Sequence, residues 1–264
     1  MTQERKFLSL EEFPPCPNYQ SPFDAIPDET SPEYQNFSGN VSQILEELNA
    51  AHIGPDNLQN RITRVVHPPR LVWAAVNYKI ASKLPRPEDF ILRATQLALA
   101  SYENKLTPSS IKDFRNYNLR FFPDFLSCDV NQVQDVVTWE ASKPKYSKKS
   151  VQNLIRKCGY GDILFIAMGQ GGIACGMDVF LRYKDFSYAK NSLFYTARLS
   201  MHKVKDEKPQ LDDKEIKFLK KEKKGRRVVI FDEDLSSGST IEKAQDYFYR
   251  MFDYEFPEIE VNFI

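Results

Sequence analysis

The sequence predicts an α/β fold, with a parallel sheet and flanking helices in the C-terminal half and a mostly α-helical region before it. Two observations predict this fold. After Gly159, short apolar runs of strand length alternate with segments of helical spacing. Before Gly159, apolar residues recur at the spacing of one helix face. Strands that alternate with helices form parallel sheets with right-handed crossovers, so we expect such a sheet after Gly159.

The N-terminal half divides into two regions. Residues 1–40 are rich in Pro, Ser, Asn and acids, which predicts an irregular arm. Residues 41–146 predict a helical region; its first helix opens at Asn40, with apolar residues at the spacing of one face. The segments predicted as helices up to Gly159 are 40–53, 69–84, 87–106, 108–122, 130–142 and 148–159.

The C-terminal half, residues 147–264, carries the strand signals. The segments predicted as strands are 162–168, 192–200, 226–232 and 258–264. Helical spacing lies between them, in 172–184, 212–225 and 240–252. The charge run 203–227 favours a solvated loop and an amphipathic helix; a lid whose lysines meet a phosphate is the alternative.

Composition excludes several classes of protein. The chain has 264 residues, of which 42% are hydrophobic, so it has enough apolar side chains for a core and is not disordered. Its 36 Lys and Arg balance 36 Asp and Glu, which does not indicate a nucleic-acid partner. The four cysteines form no CxxC pair, so we expect a reduced, cytoplasmic setting without zinc or disulfides. The N-terminus has no apolar signal-peptide core and no apolar run reaches roughly 18 residues, so we expect no membrane association.

One strand-to-helix turn, "VVIFDEDLSSGST", carries the clearest functional signal. Its strand ends in the acids Asp232 and Glu233, and a run of small residues follows: Ser236, Ser237, Gly238, Ser239 and Thr240. Backbone N–H groups of small residues at a helix N-terminus can converge on a phosphate. The acids can accept hydrogen bonds from ribose hydroxyls and bind Mg²⁺ directly or through water. The turn therefore predicts a site for a 5-phosphorylated ribose, with simple helix capping as the structural alternative.

This turn resembles the phosphoribosyl pyrophosphate motif of the type I phosphoribosyltransferases. In this register Asp232 and Glu233 match the ribose-binding acid pair, and residues 237–240 match the 5-phosphate loop. Ser236 stands where many members have an aspartate, although other branches of the family also lack it. The resemblance covers roughly residues 147–264 and implies the sheet of that family.

Two further segments resemble parts of the family in the expected order. The first corresponds to the pyrophosphate loop and consists of Gly169, Gln170, Gly171 and Gly172. The second follows the next strand, where Arg198 or Lys203 would contact pyrophosphate. The lysine-rich stretch up to Arg226 corresponds to a flexible loop that closes over the site.

The resemblance implies a Mg²⁺-dependent glycosyltransferase of nucleotide metabolism, which transfers phosphoribose from phosphoribosyl pyrophosphate (PRPP) to a nitrogenous base or related acceptor. Asp232 and Glu233 would be its catalytic residues and would hold Mg²⁺. The acceptor-binding hood would come from residues 41–146 or from a partner subunit, so a homo-oligomer or a protein partner through that region stays open. The alternative is a non-catalytic PRPP or nucleotide sensor, or an effector of a defence or toxin system. Ser236 and Gln170 favour that alternative because they replace an acid and a cation common in the family.

Overall fold

The computed structural model describes residues 16–133, 135–199, 206–234 and 239–263. It confirms the predicted α/β fold, with helices in the N-terminal half and a parallel sheet in the C-terminal half. The helices are α1 (Val41–Ile53), α2 (Leu58–Ser82), α3 (Pro87–Tyr102), α4 (Pro108–Phe121), α5 (Val136–Ala141), α6 (Pro144–Cys158), α7 (Gly169–Ser187), α8 (Asp213–Glu222) and α9 (Ser239–Met251). The strands are β1 (Phe37–Asn40), β2 (Asp129–Gln132), β3 (Ile163–Met168), β4 (Leu193–Ala197), β5 (Arg227–Asp234) and β6 (Glu258–Phe263). Short 3₁₀ helices span Pro22–Ala25, Pro32–Gln35 and Pro123–Ser127.

The C-terminal strands of the described chain form one parallel sheet in the order β4-β3-β5-β6. The chain runs from β3 to β4 on one side and then crosses back to β5 on the other side of β3. This reversal makes the gap between β3 and β5 a topological switch point, where open α/β sheets bind ligands at the carboxyl ends of their strands. Every residue of β3 is buried, which explains its continuous apolar run.

The two faces of the sheet belong to two hydrophobic cores. Leu164 and Ile166 of β3 face a core that α8 and α9 share with helices of the N-terminal half. Phe165 and Ala167 alternate with them and face a second core formed largely by α6 and α7. This alternation follows the two-residue period of a strand. The helical region and the sheet are therefore packed together through common cores.

Helix α2 continues through Pro68 and Pro69, although proline normally breaks a helix interior. Each proline lacks an N–H group, which frees the carbonyl four residues earlier. Two hydroxyl groups of α3 donate hydrogen bonds to these carbonyls: Ser101 Oγ to Arg64 O at 3.4 Å, and Tyr102 Oη to Val65 O at 2.8 Å. Because α3 supplies these donors, α2 begins at Leu58, well before the predicted start of this helix at residue 69.

The described part of the N-terminal arm is attached to α7 by buried charges. Tyr19 Oη donates to Asp178 Oδ1 at 2.9 Å, and Arg182 Nε donates to Asp178 Oδ2 at 2.9 Å. Arg182 also reaches back to the arm, with Nη2 2.8 Å from Asp24 Oδ1. The carboxylate of Asp185 accepts a hydrogen bond from the Tyr19 backbone N–H at 2.9 Å. The described part of the arm thus packs on the body of the protein.

The predicted helix over 130–142 is wrong. Residues 129–132 instead form strand β2, which pairs antiparallel with β1, and a short helix covers only Val136–Ala141. Val130 is buried between exposed Asp129 and Asn131, which is the two-residue period of a strand rather than that of a helix. Among the described residues, no helix is both long enough and apolar enough to cross a lipid bilayer.

Candidate functional site

The carboxyl ends of β3 and β5 bring together residues 169–172 and the acid pair. Residues 169–172 do not form the predicted loop; they are the first turn of α7, because Gly169 alone turns the chain from strand to helix. Helix α7 begins directly after β3, at Gly169, whose φ of 64° lies in the left-handed region that favours glycine. Asp232 and Glu233 lie near the end of β5, the neighbouring parallel strand. The structure therefore places these two predicted groups side by side at the switch point.

The first turn of α7 lies so close to the acid pair that a side chain at Gly171 would displace the Glu233 carboxylate. A β-carbon on Gly171 would lie 0.9 Å from Glu233 Oε2 and 1.5 Å from Glu233 Cδ, so the carboxylate fills the space of that side chain. A β-carbon on Gly172 would lie 3.1 Å from Phe231 O and 3.4 Å from Asp232 Oδ1. The paired glycines let strand β5 and its acids approach the helix.

The Glu233 carboxylate lies against the positive end of the α7 dipole, where a negative charge is favourable. Asp232 Oδ1 accepts a hydrogen bond from the Glu233 backbone N–H at 2.9 Å, which orients the two carboxylates relative to each other. Both side chains are half-buried. The pair can accept hydrogen bonds from hydroxyl groups or bind a cation.

The acid pair has the protein ligands of one common kind of Mg²⁺ site. Mg²⁺ in phosphate-binding sites is commonly held by one or two carboxylates, with water and substrate phosphate as its other ligands. Asp232 and Glu233 supply two carboxylates, and no group of three or more metal-ligating side chains is found among the described residues. These residues would hold Mg²⁺ together with a phosphorylated ligand.

The predicted pyrophosphate contact Arg198 already has protein partners. Its guanidinium forms a bidentate ion pair with Asp206, with Nε–Oδ2 and Nη2–Oδ1 distances of 3.2 Å, and Nη1 lies 3.4 Å from Asn77 Oδ1. Asp206 is only 7% exposed, so this pair is shielded from water. To contact pyrophosphate, the Arg198 guanidinium would have to give up its ion pair with Asp206.

The remaining predicted residues belong to the phosphate loop and to the segment after β4. Lys203, Ser236, Ser237 and Gly238 lie outside the described residues. Ser239 is the first residue of α9, and Thr240 follows it in the first turn with a half-buried side chain. Four residues, 235–238, separate the end of β5 at Asp234 from the start of α9 at Ser239.

Cys175 lies directly below this site and is not a nucleophile there. Its thiol donates to Gly171 O at 3.3 Å and is fully buried. Burial, and then the negative charges of Glu233 and Asp232, raise the pKa of the Cys175 thiol well above its ordinary value. The thiol stays protonated, so Cys175 serves as a packing residue of α7.

A buried arginine beside Gln170 is the feature that sequence reasoning missed. Arg70 on α2 is 3% exposed; its Nε donates to Gln132 Oε1 at 2.7 Å, and its Nη2 donates to Gln35 O. Its Nη1 lies 2.9 Å from His67 Nδ1. One signal in the sequence could have found it: Arg70 is the single arginine within the apolar run "VVHPPRLVWAAV". Amphipathic helices keep charged residues off their buried face, so an arginine inside such a run is unusual.

His67 connects Arg70 to the surface acid Glu47. Arginine can only donate, so His67 Nδ1 accepts, and Nε2 carries the proton that Glu47 Oε2 accepts at 2.6 Å. Burial lowers the pKa of His67, which favours this neutral form. Trp139 is half-buried, lines the same small cavity as Arg70, and donates from Nε1 to Thr30 O at 3.0 Å.

The chain was compared with protein-family models, with curated proteins and with solved structures, and none of the three comparisons finds a match.

Proposed function

We propose that this protein binds PRPP or a related ribose 5-phosphate ligand at the carboxyl ends of β3 and β5, and transfers phosphoribose to an acceptor. One observation carries the proposal: the glycine-rich first turn of α7 and the acid pair of β5, far apart in sequence, contact each other at the switch point of a parallel sheet. A helix N-terminus next to paired carboxylates suits a ligand that has both phosphate and vicinal hydroxyl groups.

Different residues of the site would bind different groups of the ligand. Asp232 and Glu233 would accept hydrogen bonds from the ribose hydroxyls and would hold Mg²⁺, whose charge would stabilise pyrophosphate as a leaving group. Residues 236–240 would hold the 5-phosphate, and the first turn of α7 would receive pyrophosphate. In the reaction the acceptor nitrogen forms a bond to the anomeric carbon, the bond from that carbon to pyrophosphate oxygen breaks, and the acceptor proton passes to solvent. Catalysis would come from positioning and from electrostatic stabilisation rather than from a general base.

Calorimetric titration with PRPP, with and without Mg²⁺, tests this proposal. The Asp232→Asn, Glu233→Gln double variant should lose Mg²⁺-dependent binding. The matched control is Asp246→Asn, Glu255→Gln, which makes the same charge change at exposed positions on α9 and beyond its end, where the carboxylates pair with Arg250 and Lys223. This control should bind PRPP like the wild type. Absence of PRPP binding by the folded wild type would refute the proposal.

A second function, a PRPP or nucleotide sensor without transfer activity, is favoured by two contacts. Glu233 lies against the first turn of α7, where pyrophosphate would bind, and Arg198 is paired with Asp206. Both contacts occupy groups assigned to pyrophosphate, so they favour a site that recognises the ribose 5-phosphate part of a ligand without transfer chemistry. A pyrophosphate-release assay across purine, pyrimidine and pyridine acceptors separates the two functions, since a sensor binds PRPP and releases nothing.

A further inference from the structure

A cavity of about 200 Å³ lies at the C-terminal end of α7, the end opposite to the acid pair. Three parts of the chain line it: the arm at Asn18 and Tyr19, the turn after α3, and the last turn of α7 with the residues that follow. Helix α7 has 19 residues and is therefore about 28 Å long. The cavity is thus separate from the site at the carboxyl ends of β3 and β5.

The two carboxylates that line this cavity already have protein partners. The Asp185 carboxylate accepts hydrogen bonds from the Asn18 backbone N–H at 2.8 Å, from Asn18 Nδ2 at 3.0 Å and from the Tyr19 backbone N–H at 2.9 Å. Glu103 Oε1 lies 2.8 Å from Lys105 Nζ. These contacts offset the negative charge of both carboxylates.

Two cations of the cavity remain. Among the described residues, no carboxylate forms an ion pair or hydrogen bond with Lys184 or Lys190. The carbonyl groups at the end of α7 carry partial negative charge, but two of them are occupied: Ala189 N–H donates to Lys184 O at 3.1 Å, and Tyr188 N–H donates to Asp185 O at 3.4 Å. Lysine binds phosphate as a point charge, so two such ammonium groups suit a phosphate monoester, whose charge is roughly −1.5 to −2.

Tyr188 adds an aromatic ring to these cations. It lines the cavity and is 70% exposed, and its φ of 54° lies in the left-handed region, which is uncommon for a residue other than glycine. Proteins that bind single-stranded nucleic acid combine cations for the phosphates with aromatic rings on which the bases stack. Such strands occupy about 4–16 nucleotides, whereas a cavity of about 200 Å³ suits a single nucleotide.

We propose that this cavity binds a nucleoside monophosphate, whose phosphate contacts Lys184 and Lys190 and whose base stacks on Tyr188. This inference goes beyond the proposed function and does not depend on it. Because Asn18 and Tyr19 also line the cavity, the bound nucleotide joins the N-terminal arm to the end of α7.

Calorimetric titration with adenosine 5′-monophosphate (AMP) tests the site, since stacking accepts any base. Adenosine lacks the phosphate and ribose 5-phosphate lacks the base. We expect AMP to bind at least about tenfold more tightly than either, because it alone has both groups. Hydrogen exchange locates the bound AMP: it should become slower in residues 16–19, 103–105 and 184–190.

The Lys184→Gln, Lys190→Gln double variant removes both cations. It should bind AMP at least about tenfold more weakly than the wild type does. The matched control is Lys217→Gln, Lys221→Gln, which makes the same charge change at exposed positions on α8. Because α8 packs on the other face of the sheet, this control should bind AMP like the wild type.

Tyr188→Asn tests the stacking contact. Asparagine tolerates the left-handed conformation, so the substitution removes the ring without straining the backbone. The variant should bind AMP no more tightly than ribose 5-phosphate. Tyr254→Asn is the matched control, because Tyr254 is 71% exposed and has a φ of 67°. It should keep the preference for AMP.

PRPP binding is measured on the same samples, which separates this inference from the proposed function. The nucleotide site is refuted if AMP does not bind, if the Lys184→Gln, Lys190→Gln variant binds it like the wild type, or if AMP slows exchange only in the first turns of α7 and α9. PRPP binding in any of these cases leaves the proposed function standing. If AMP binds in the cavity and PRPP does not bind, the nucleotide site stands and the transferase is refuted.

Discussion

The carboxylate of Glu233 occupies the space where a side chain on Gly171 would lie, with Glu233 Oε2 0.9 Å from the position of that absent β-carbon. The contact joins the end of β5 to the first turn of α7, the helix that follows the neighbouring strand β3. It makes a glycine in α7 a determinant of the position of an acid in β5.

Gly171→Ala should therefore change ligand binding much more than stability. The group that must move is the far end of a flexible Glu233 side chain, and alanine favours a helix by roughly 1 kcal/mol over glycine. We expect an unchanged free energy of unfolding in urea and a loss of PRPP binding.

Gly176→Ala is the matched control on the same helix. Its β-carbon would lie 3.0 Å from Phe231 Cδ1 and 3.2 Å from Phe165 Cε1, which are packed rings of the core. Overpacking of this kind costs roughly 1–3 kcal/mol. If Gly171→Ala destabilises the protein as much as Gly176→Ala does, Glu233 is fixed more rigidly than we expect.

Tyr102→Phe should destabilise the protein by about 1–3 kcal/mol, because it leaves the buried Val65 carbonyl without its 2.8 Å hydrogen bond. That carbonyl has no helical partner, since Pro69 lacks an N–H group. Urea unfolding measures the change. Tyr34→Phe, at a 41% exposed tyrosine, should have an effect below about 0.5 kcal/mol.

Tyr19→Phe should loosen the N-terminal arm. The substitution removes the 2.9 Å hydrogen bond to buried Asp178, a contact with a charged group that contributes about 1.5–3 kcal/mol. Hydrogen exchange of residues 16–36 should become faster, while the central strand β3 should change less. Uniform acceleration across the whole chain would instead indicate that the arm and the body unfold together.

His52 should make the protein less stable in acid. Burial, with a contribution from the Arg64 charge, lowers the pKa of His52 from 6.5 to about 4. Between these values the unfolded chain binds a proton that the folded chain does not, so the free energy of unfolding falls as pH drops from 6.5 to 4. In His52→Gln this fall should be smaller, as measured by urea unfolding at several pH values. An identical pH dependence in both proteins would contradict the assignment.

The sequence predicted those parts of the fold whose signals are local. Helix α1 begins after Asn40, where a capping box with Gln43 marks its start, and the apolar run of β3 has the length of a strand. Strand β2 was missed because its partner lies far away along the chain; Ser38 Oγ bonds Asn131 Oδ1 across a separation of 93 residues. A four-residue strand in a two-stranded sheet has too few residues to show its period.

The same division holds for the candidate site. The proximity of Gly171 to Glu233 could be expected from two parallel strands that end at one edge of a sheet. The pairing of Arg198 with Asp206 could not, because it depends on the path of the segment after β4. Arg70 was missed for a related reason: a charged residue within an apolar helix face gains meaning only when the side chains around it are known.

The sharing of both cores between early and late parts of the chain bears on synthesis at the ribosome. The apolar faces of α1 to α4 emerge first, whereas the strands that cover them lie between Ile163 and Phe263. At about 5–20 residues per second, translation of that stretch of roughly 100 residues takes about 5–20 seconds. The nascent helices are thus exposed for that time, and a chaperone that binds apolar helix faces has its best opportunity before β5 leaves the exit tunnel.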